Sequence, residues 1–497
     1  MTDLEKSSHL PVAVQVENGH VAEHEREMSP AEKRLVRKQD LAITTLMSGC
    51  FFFAYFDRGA IGNARIMGFQ EDLHLSAQQY FNCLMMFYVG YMVFKFPAFV
   101  LIRRFHAPTI YALSIIIFSI ASLCTAFAKT YGQVIVLRLI LGCGEATVQT
   151  SFLFVSLWYR REEMSVRCGY VYGMTPIAGA VTGFISYAVG KYLDGKGPGS
   201  FASWQWLFII EGSPTILWGL IVWALLPQFP DKEVKSKRSL WFKSDKEKRL
   251  IVERSMAAQH VMDARVDYAQ MWTAVKDPKV WGFSIMTATI AASLAGFGVF
   301  LPTFIKEFGF SPLVTQLYTI IPYCCAFISL VAVSRVADHY GQRAIPLAII
   351  TCVAIVGFII IIATPNAVAG IVASCLISAA VYPGVVLCAA WLPSSNAGYT
   401  KRATATWITQ IAIQTFSIMC TQIYSTPPRF FKGHGVLLGL FVLTLGIIAG
   451  LWWLMRNSNL RKDEAARGWA EQGVRNPDED KTLEDLCDKH PNYRYVW

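Results

Sequence analysis

Five ionisable residues interrupt long apolar stretches of this 497-residue chain: Asp57, Arg58, Lys95, Arg138 and Glu145. A charge held in hydrocarbon costs about 2.5 kcal/mol or more, so such residues usually mark the path of a solute or a proton. Arg138 and Glu145 are seven residues apart. In a helix that is two turns, which puts them on one face about 10 Å apart along the axis. Gln149 lies one turn further on, and Gly142 and Gly144 permit close approach of a neighbouring helix. Burial penalises the charged form of the Glu145 carboxyl, while nearby arginines favour it. A carboxyl so balanced can take up and release a proton. Arginines keep their charge and can hold a carboxylate through two parallel hydrogen bonds. The set suits an anionic substrate carried with protons. The competing reading is a buried ion pair that orients helices one and four. Lys95 lies near the end of its stretch, where a lysine can extend to the interface. Glu211, beside Trp204-Gln-Trp206-Leu-Phe208, reads as structural.

These residues need helices to hold them. The chain is 54% hydrophobic and 16% charged, against about a quarter charged for a soluble domain. Its apolar residues fall in blocks of the roughly 20 residues that a spanning helix needs, near 41–64, 81–101, 109–128, 132–157, 168–190 and 205–227, then 280–303, 313–334, 344–363, 367–391, 402–424 and 435–455. Lipid offers no partner to backbone amides, so each block must be helical. The blocks do not alternate as barrel strands do. The expectation is an all-α integral membrane fold of twelve transmembrane helices in two six-helix halves. Residues 1–40 form an N-terminal tail, 41–227 the first half, 228–279 a linker, 280–456 the second half and 457–497 a C-terminal tail. The linker is expected to be partly helical on the membrane surface, and the tail polar and solvated.

Charge placement gives the orientation. Lys33, Arg34, Arg37 and Lys38 precede the first block; Arg103, Arg104, Arg160, Arg161, Arg167, the linker bases, Arg335, Arg343, Lys401, Arg402, Arg456, Arg461 and Lys462 follow on the same side if the helices alternate. Both termini are therefore expected in the cytoplasm. The same placement accounts for the net charge of +10 without a nucleic-acid partner. The twelve cysteines form no Cys-x-x-Cys pair, and the few histidines, such as His339 and His434, are read as solvated residues at loop edges. Neither a metal, a cofactor nor an enzymatic site is expected. The first forty residues are polar, so no cleavable signal peptide is expected.

Six helices, a long linker and six more is the plan of the major facilitator superfamily, whose substrate site lies between the halves at mid-depth. Arg335-Val-Ala-Asp338-His-Tyr-Gly341-Gln-Arg343 resembles that superfamily's Asp-x-x-Gly-Arg loop motif. Gly341 would permit a tight turn. Asp338 would pair with a base and meet a helix N-terminus. A lock of this kind would gate the carrier. The loop after helix two, Leu-Ile-Arg103-Arg104-Phe-His, lacks the Asp and Gly.

Asp57-Arg58-Gly-Ala-Ile-Gly62-Asn63-Ala64-Arg65 resembles the helix-one signature of the anion:cation symporters within that superfamily. Arg138-Leu-Ile-Leu-Gly142-Cys-Gly-Glu145-Ala146 resembles their helix-four signature, continued by Trp158-Tyr159, Glu163 and Arg167. Trp206-Leu-Phe-Ile-Ile-Glu211-Gly212 is similar to the helix-six block, and Asn396-Ala-Gly398-Tyr-Thr-Lys401-Arg402-Ala403 to the entry of helix eleven. The ending Asn492-Tyr-Arg494-Tyr495-Val496 is similar to that of the fungal allantoate permease branch. The resemblance implies a plasma-membrane carrier of small organic anions, coupled to protons, working in the lipid bilayer as a monomer. It implies substrate contact for Arg58, proton-linked carboxyls at Asp57 and Glu145, and a tuning or substrate-binding role for Arg138. Three places depart from the pattern: Thr147-Val-Gln149-Thr-Ser151 replaces a Gly and Pro-Gly run, Lys95 stands where many members carry a glutamate, and Gln414 lies near a common Asn- and Gly-rich stretch. Gln149 and Gln414 are accordingly candidate substrate contacts. Export of a secondary metabolite and transporter-like nutrient sensing are the alternative functions.

Overall fold

The structure, a computed structural model, describes residues 29–159, 161–196, 200–235, 240–242, 244–259, 267–425, 429–472, 476, 478–479, 481 and 486–495. Among them, twelve long helices follow the expected spans in order. The first six are α1 (Thr45–Ile66, entered through a π-turn at Asp40–Thr44), α2 (Ala77–Arg104), α3 (Ala107–Thr125), α4 (Tyr131–Ser156, broken within), α5 (Arg161–Tyr192) and α6 (Ser203–Leu225). The second six are α7 (Pro278–Glu307), α8 (Pro312–Tyr340), α9 (Ala344–Ala363), α10 (Ala367–Ser394), α11 (Tyr399–Ile423) and α12 (Phe431–Glu471). Among the described residues nine of these are long and apolar enough to cross a membrane by composition alone. The other three, α1, α5 and α11, carry more polar residues because they turn them inward. Asp57 on α1, Thr182 on α5 and Thr409 on α11 are all buried in protein.

Each half packs on itself: α2 and α3 on α4, α3 on α6 and α1 on α5 in the first; α7 on α11, α8 and α9 on α10, and α9 on α12 in the second. The halves meet along α1/α7, α2/α11 and α5/α8. Two glycines bring neighbouring helices into backbone contact. A side chain at Gly142 would strike the Phe87 carbonyl on α2, and one at Gly62 would strike the Val299 carbonyl on α7. Both positions need a residue with no Cβ.

The linker is partly helical, as expected. Its helix Asp245–Gln259 docks on the first half through Arg254, which is 1% exposed. Arg254 Nη2 meets Glu163 Oε1 at 2.6 Å, and its Nη1 lies 3.7 Å from Glu32 Oε1. Glu32 belongs to the amphipathic helix Pro30–Gln39, where it closes a capping box with Ser29. Phe242 stacks on Trp158 at 5.4 Å. Two carboxylates around one guanidinium fasten the linker to the first half.

The C-terminal tail departs from the sequence expectation. α12 runs to Glu471, and residues 486–495 fold back on the second half instead of being solvated. Asp488 is buried and pairs with both Lys279 of α7 and Lys401 of α11. Tyr495 donates to Asp488 Oδ2 at 2.8 Å, and Tyr493 donates to the Ser394 carbonyl at the end of α10, also at 2.8 Å. Asn459 of α12 exchanges two 3.0 Å hydrogen bonds with the Tyr495 backbone. Lys462 donates to the carbonyls of Asp488, His490 and Tyr493. Ten residues of polar composition thus tie α7, α10, α11 and α12 together, and the paired, hydrogen-bonded charges make their burial tolerable.

Candidate functional site

Asp57 and Arg58 are neighbours on α1, but consecutive helical residues point about 100° apart. They serve different surroundings. Arg58 Nη2 donates to Glu145 Oε2 of α4 at 2.5 Å. Glu145 is buried, while the Arg58 side chain keeps 17% exposure. The Arg58 guanidinium lies 4.5 Å from the Tyr55 ring, 4.9 Å from Phe87 and 5.8 Å from Tyr91. These faces favour a cation and keep water from its pair. Tyr88 of α2, Tyr172 of α5 and Tyr382 of α10 are also within electrostatic reach of Arg58, so hydroxyl-bearing rings from both halves surround it.

Glu145 ends the first segment of α4, Tyr131–Glu145. A 3₁₀ turn at Val148–Thr150 follows, then the short helix Ser151–Ser156. Irregular backbone at membrane depth requires internal partners. The run Thr147-Val-Gln149-Thr-Ser151 supplies them. Ser114 donates to Thr147 Oγ1 at 2.9 Å, Thr150 Oγ1 donates to the Thr147 carbonyl at 2.6 Å, and Ser151 Oγ donates to the Val148 carbonyl at 2.6 Å. Tyr111 and Thr150 share a hydroxyl hydrogen bond of 2.8 Å. Gln149 is half-buried on this turn.

Glu145 pairs with Arg58 and not with Arg138, which is the buried ion pair between helices one and four that stood as the competing reading. The shorter path from Glu145 leads across to Arg58. Arg138 is buried with the Phe208 ring 5.9 Å away, and its Nε and Nη2 have no hydrogen-bond partner. Asp57 and Glu145 are within its electrostatic reach. Asp57 Oδ1 accepts a long 3.4 Å hydrogen bond from Ser122, and Oδ2 has no partner. Glu211 is fully buried, both its oxygens lack partners, and Asp57 and Arg138 act on it. Its reading as a structural residue among aromatics misses this placement. The signal was depth: Ser203 opens α6, and eight residues carry Glu211 about 12 Å along the helix.

Lys95 turns inward instead of extending to the interface. It donates to Gln410 Oε1 on α11 and lies 5.2 Å from the Tyr91 ring, bridging the two halves. Gln414, one turn beyond Gln410, is buried on α11. In the gate loop, Gly341 has φ +61° and its N–H meets the Asp338 carbonyl at 3.3 Å, closing the turn after α8. Arg343 donates to the Ala390 carbonyl at the end of α10. Arg335 and Asp338 are exposed, and among the described residues no base pairs with the Asp338 carboxylate. Arg343, which lies within electrostatic reach of Asp338, gives its hydrogen bond to α10. His434 is a further correction: it is buried in α12 against Phe304, Phe358 and Tyr424, not solvated. Among the described residues no cluster of three His, Cys, Asp or Glu could hold a metal ion.

Known proteins resemble this chain along most of its length. Residues 47–421 match the family described as Major Facilitator Superfamily. An uncharacterized transporter of Schizosaccharomyces pombe is 30% identical over 473 residues, covering 94% of this chain and 91% of that protein. The high-affinity nicotinic acid transporter of Saccharomyces cerevisiae is 27% identical, covering 94% of this chain and 85% of that protein. Among solved structures, the xylose transporter of Escherichia coli in a partially occluded inward open conformation aligns with a TM-score of 0.61 at 13% identity, covering 82% of this chain and 97% of that one.

Proposed function

We propose, from the premise that this chain belongs to the major facilitator superfamily and is a multi-pass secondary transporter, that it carries a small organic anion together with a proton. The observation that carries the proposal is the Arg58–Glu145 pair, 2.5 Å long and roofed by Tyr55, Phe87 and Tyr91. A substrate carboxylate competes with Glu145 for the same guanidinium. Once displaced, Glu145 is a buried carboxylate without a partner, a costly state that protonation relieves. Anion and proton therefore arrive together: the substrate takes the negative charge's place beside Arg58, and Glu145 becomes neutral. When the proton leaves, Glu145 reclaims Arg58 and expels the anion. Gln149 and Gln414 offer uncharged hydrogen-bonding groups toward the rest of the substrate. The gate loop at Arg335, Asp338, Gly341 and Arg343 contributes to the change between states, with Arg343 as its hold on α10.

The relative named for nicotinic acid supports a small carboxylate as substrate. The basic residues gathered at the ends bearing both termini support cytoplasmic termini. A monomer in the plasma membrane, with no enzymatic activity, completes the proposal.

The test is uptake of labelled nicotinate and other carboxylates into cells or proteoliposomes under an imposed pH gradient. Accumulation should require an acidic outside. Glu145→Gln should abolish gradient-driven accumulation, and Arg58→Ala should abolish binding. Accumulation that survives intact in Glu145→Gln would sink the proposal. Loss of a metabolite from expressing cells would turn the direction to export, and binding without flux would make the protein a sensor.

A further inference from the structure

Behind the Arg58–Glu145 pair lies a second charged group that this transport scheme leaves unused. Asp57 of α1, Arg138 of α4 and Glu211 of α6 are 0%, 2% and 0% exposed. Three carboxyls, Asp57, Glu145 and Glu211, stand against two guanidiniums, Arg58 and Arg138. Glu145 answers Arg58 directly. Arg138 is left with two carboxyls in electrostatic reach for its single charge.

The surroundings supply nothing more. Three of the four carboxyl oxygens of Asp57 and Glu211 have no hydrogen-bond partner, and the fourth has only the 3.4 Å bond from Ser122. From α3, Ser119 is buried with its hydroxyl unpartnered. From α2 come Tyr80 and Cys83, from α6 Phe208, and from α4 Glu145; none brings a positive charge. Were both Asp57 and Glu211 ionised, one negative charge would remain buried without a counter-ion, a state proteins avoid by neutralising the group.

We infer that Asp57 and Glu211 hold one proton between them, as a carboxyl–carboxylate couple facing Arg138. Glu211 is then a positioning residue: it keeps α1 electrically balanced beside Arg58 without touching substrate. The couple keeps its proton whether Glu145 is ionised or protonated, because Arg138 can balance only one negative charge in either state. That Glu145 alone then exchanges a proton, one for each anion, rests on the transport reading above; the couple itself does not.

The experiment is infrared spectroscopy of the purified full chain at neutral pH, reading the carbonyl stretch of protonated carboxyl groups, with no substrate added. The wild type should show a band that disappears in Glu211→Gln and equally in Asp57→Asn, since the surviving carboxyl ionises against Arg138. The band should persist in Glu145→Gln. Each single variant keeps Arg138 balanced, so each should unfold near the wild-type temperature. The double variant Asp57→Asn/Glu211→Gln strands Arg138 and should unfold well below both. Either single variant alone decides the matter if the other does not fold. A band that survives in Asp57→Asn or in Glu211→Gln, its absence from the wild type, or a double variant as stable as the singles would overturn the inference. Failure of the transport reading would show as absent uptake and would leave the band in place.

Discussion

Lys401 holds Asp277 at 2.8 Å, and the pair repeats in the second half the place that Arg167 and Asp40 occupy in the first. Asp40 lies in the turn that enters α1, and Asp277 caps α7. Arg167 and Lys401 sit near the starts of α5 and α11. Each aspartate thus ties the first helix of its half to the fifth, and the two halves use the same ion pair six helices apart. The pair in the second half is the deeper one: its side chains are 2% and 11% exposed, against 15% and 39% in the first.

Depth should decide what the pairs contribute. Removing one partner of a buried pair costs about 3–5 kcal/mol, and a half-buried pair such as Arg167–Asp40, although held by two parallel hydrogen bonds, should cost less. Lys401→Met takes a partner from both Asp277 and Asp488 in the deeper site, and should lower the thermal unfolding midpoint much further than Arg167→Met. Equal effects in the purified protein would contradict the ranking.

Arg254 should anchor the linker. Its replacement by methionine leaves Glu163, 7% exposed, without its 2.6 Å guanidinium contact. The expected loss is again about 3 kcal/mol or more, expressed locally as release of the helix at Asp245–Gln259. Limited proteolysis reads this directly: Arg254→Met should be cut in the linker at protease levels that leave the wild type whole. Unchanged cleavage would remove Arg254 from that role.

Arg58→Lys separates charge from shape. A lysine keeps the positive charge but loses the planar, forked group that stacks on Tyr55 and Phe87. KM for a carried carboxylate should rise about tenfold, equivalent to about 1.4 kcal/mol, while dependence on the pH gradient persists through Glu145. A variant with unaltered KM would show that charge alone suffices at this position.

Docking of the tail should depend on pH in a defined sense. Burial pushes the Asp488 carboxyl up, but the ammonium groups of Lys279 and Lys401 outweigh it and hold Asp488 well below the usual carboxylate range. A carboxyl depressed in the folded state adds stability above its unfolded value of about 3.9, and that stability is lost as pH falls below it. Hydrogen exchange at 486–495 should accordingly be slow at neutral pH and quicken only in acid. Asp488→Asn should exchange fast at neutral pH; slow exchange there would mean that the tyrosines hold the tail without the ion pairs.

Hydropathy made the twelve helices legible, since apolar length is a property of local sequence. Buried charge made Asp57, Arg58, Arg138 and Glu145 legible for the same reason. Partner choice was not, beyond the alternative of a buried ion pair between helices one and four, because it depends on which helices touch. Arg138 and Glu145 share a helix, yet Glu145 pairs with a residue 87 positions away. Nor was the break in α4, which no proline announces and which hydroxyls from α3 and α4 sustain. The tail was misjudged on composition: its polar residues find their partners on four helices distant in sequence. Asp338 shows the opposite case, a motif whose turn forms at Gly341 while Arg343, the base in its electrostatic reach, hydrogen-bonds to α10.

The bare backbone contact of Gly62 with Val299 has a mechanical consequence. A joint between two moving bodies jams when interlocking side chains must repack at every stroke. Here the first half bears on the second through a glycine and a carbonyl, with nothing between them to rearrange. That spot can serve as a bearing about which the halves rock, and a single added methyl would act there as a wedge.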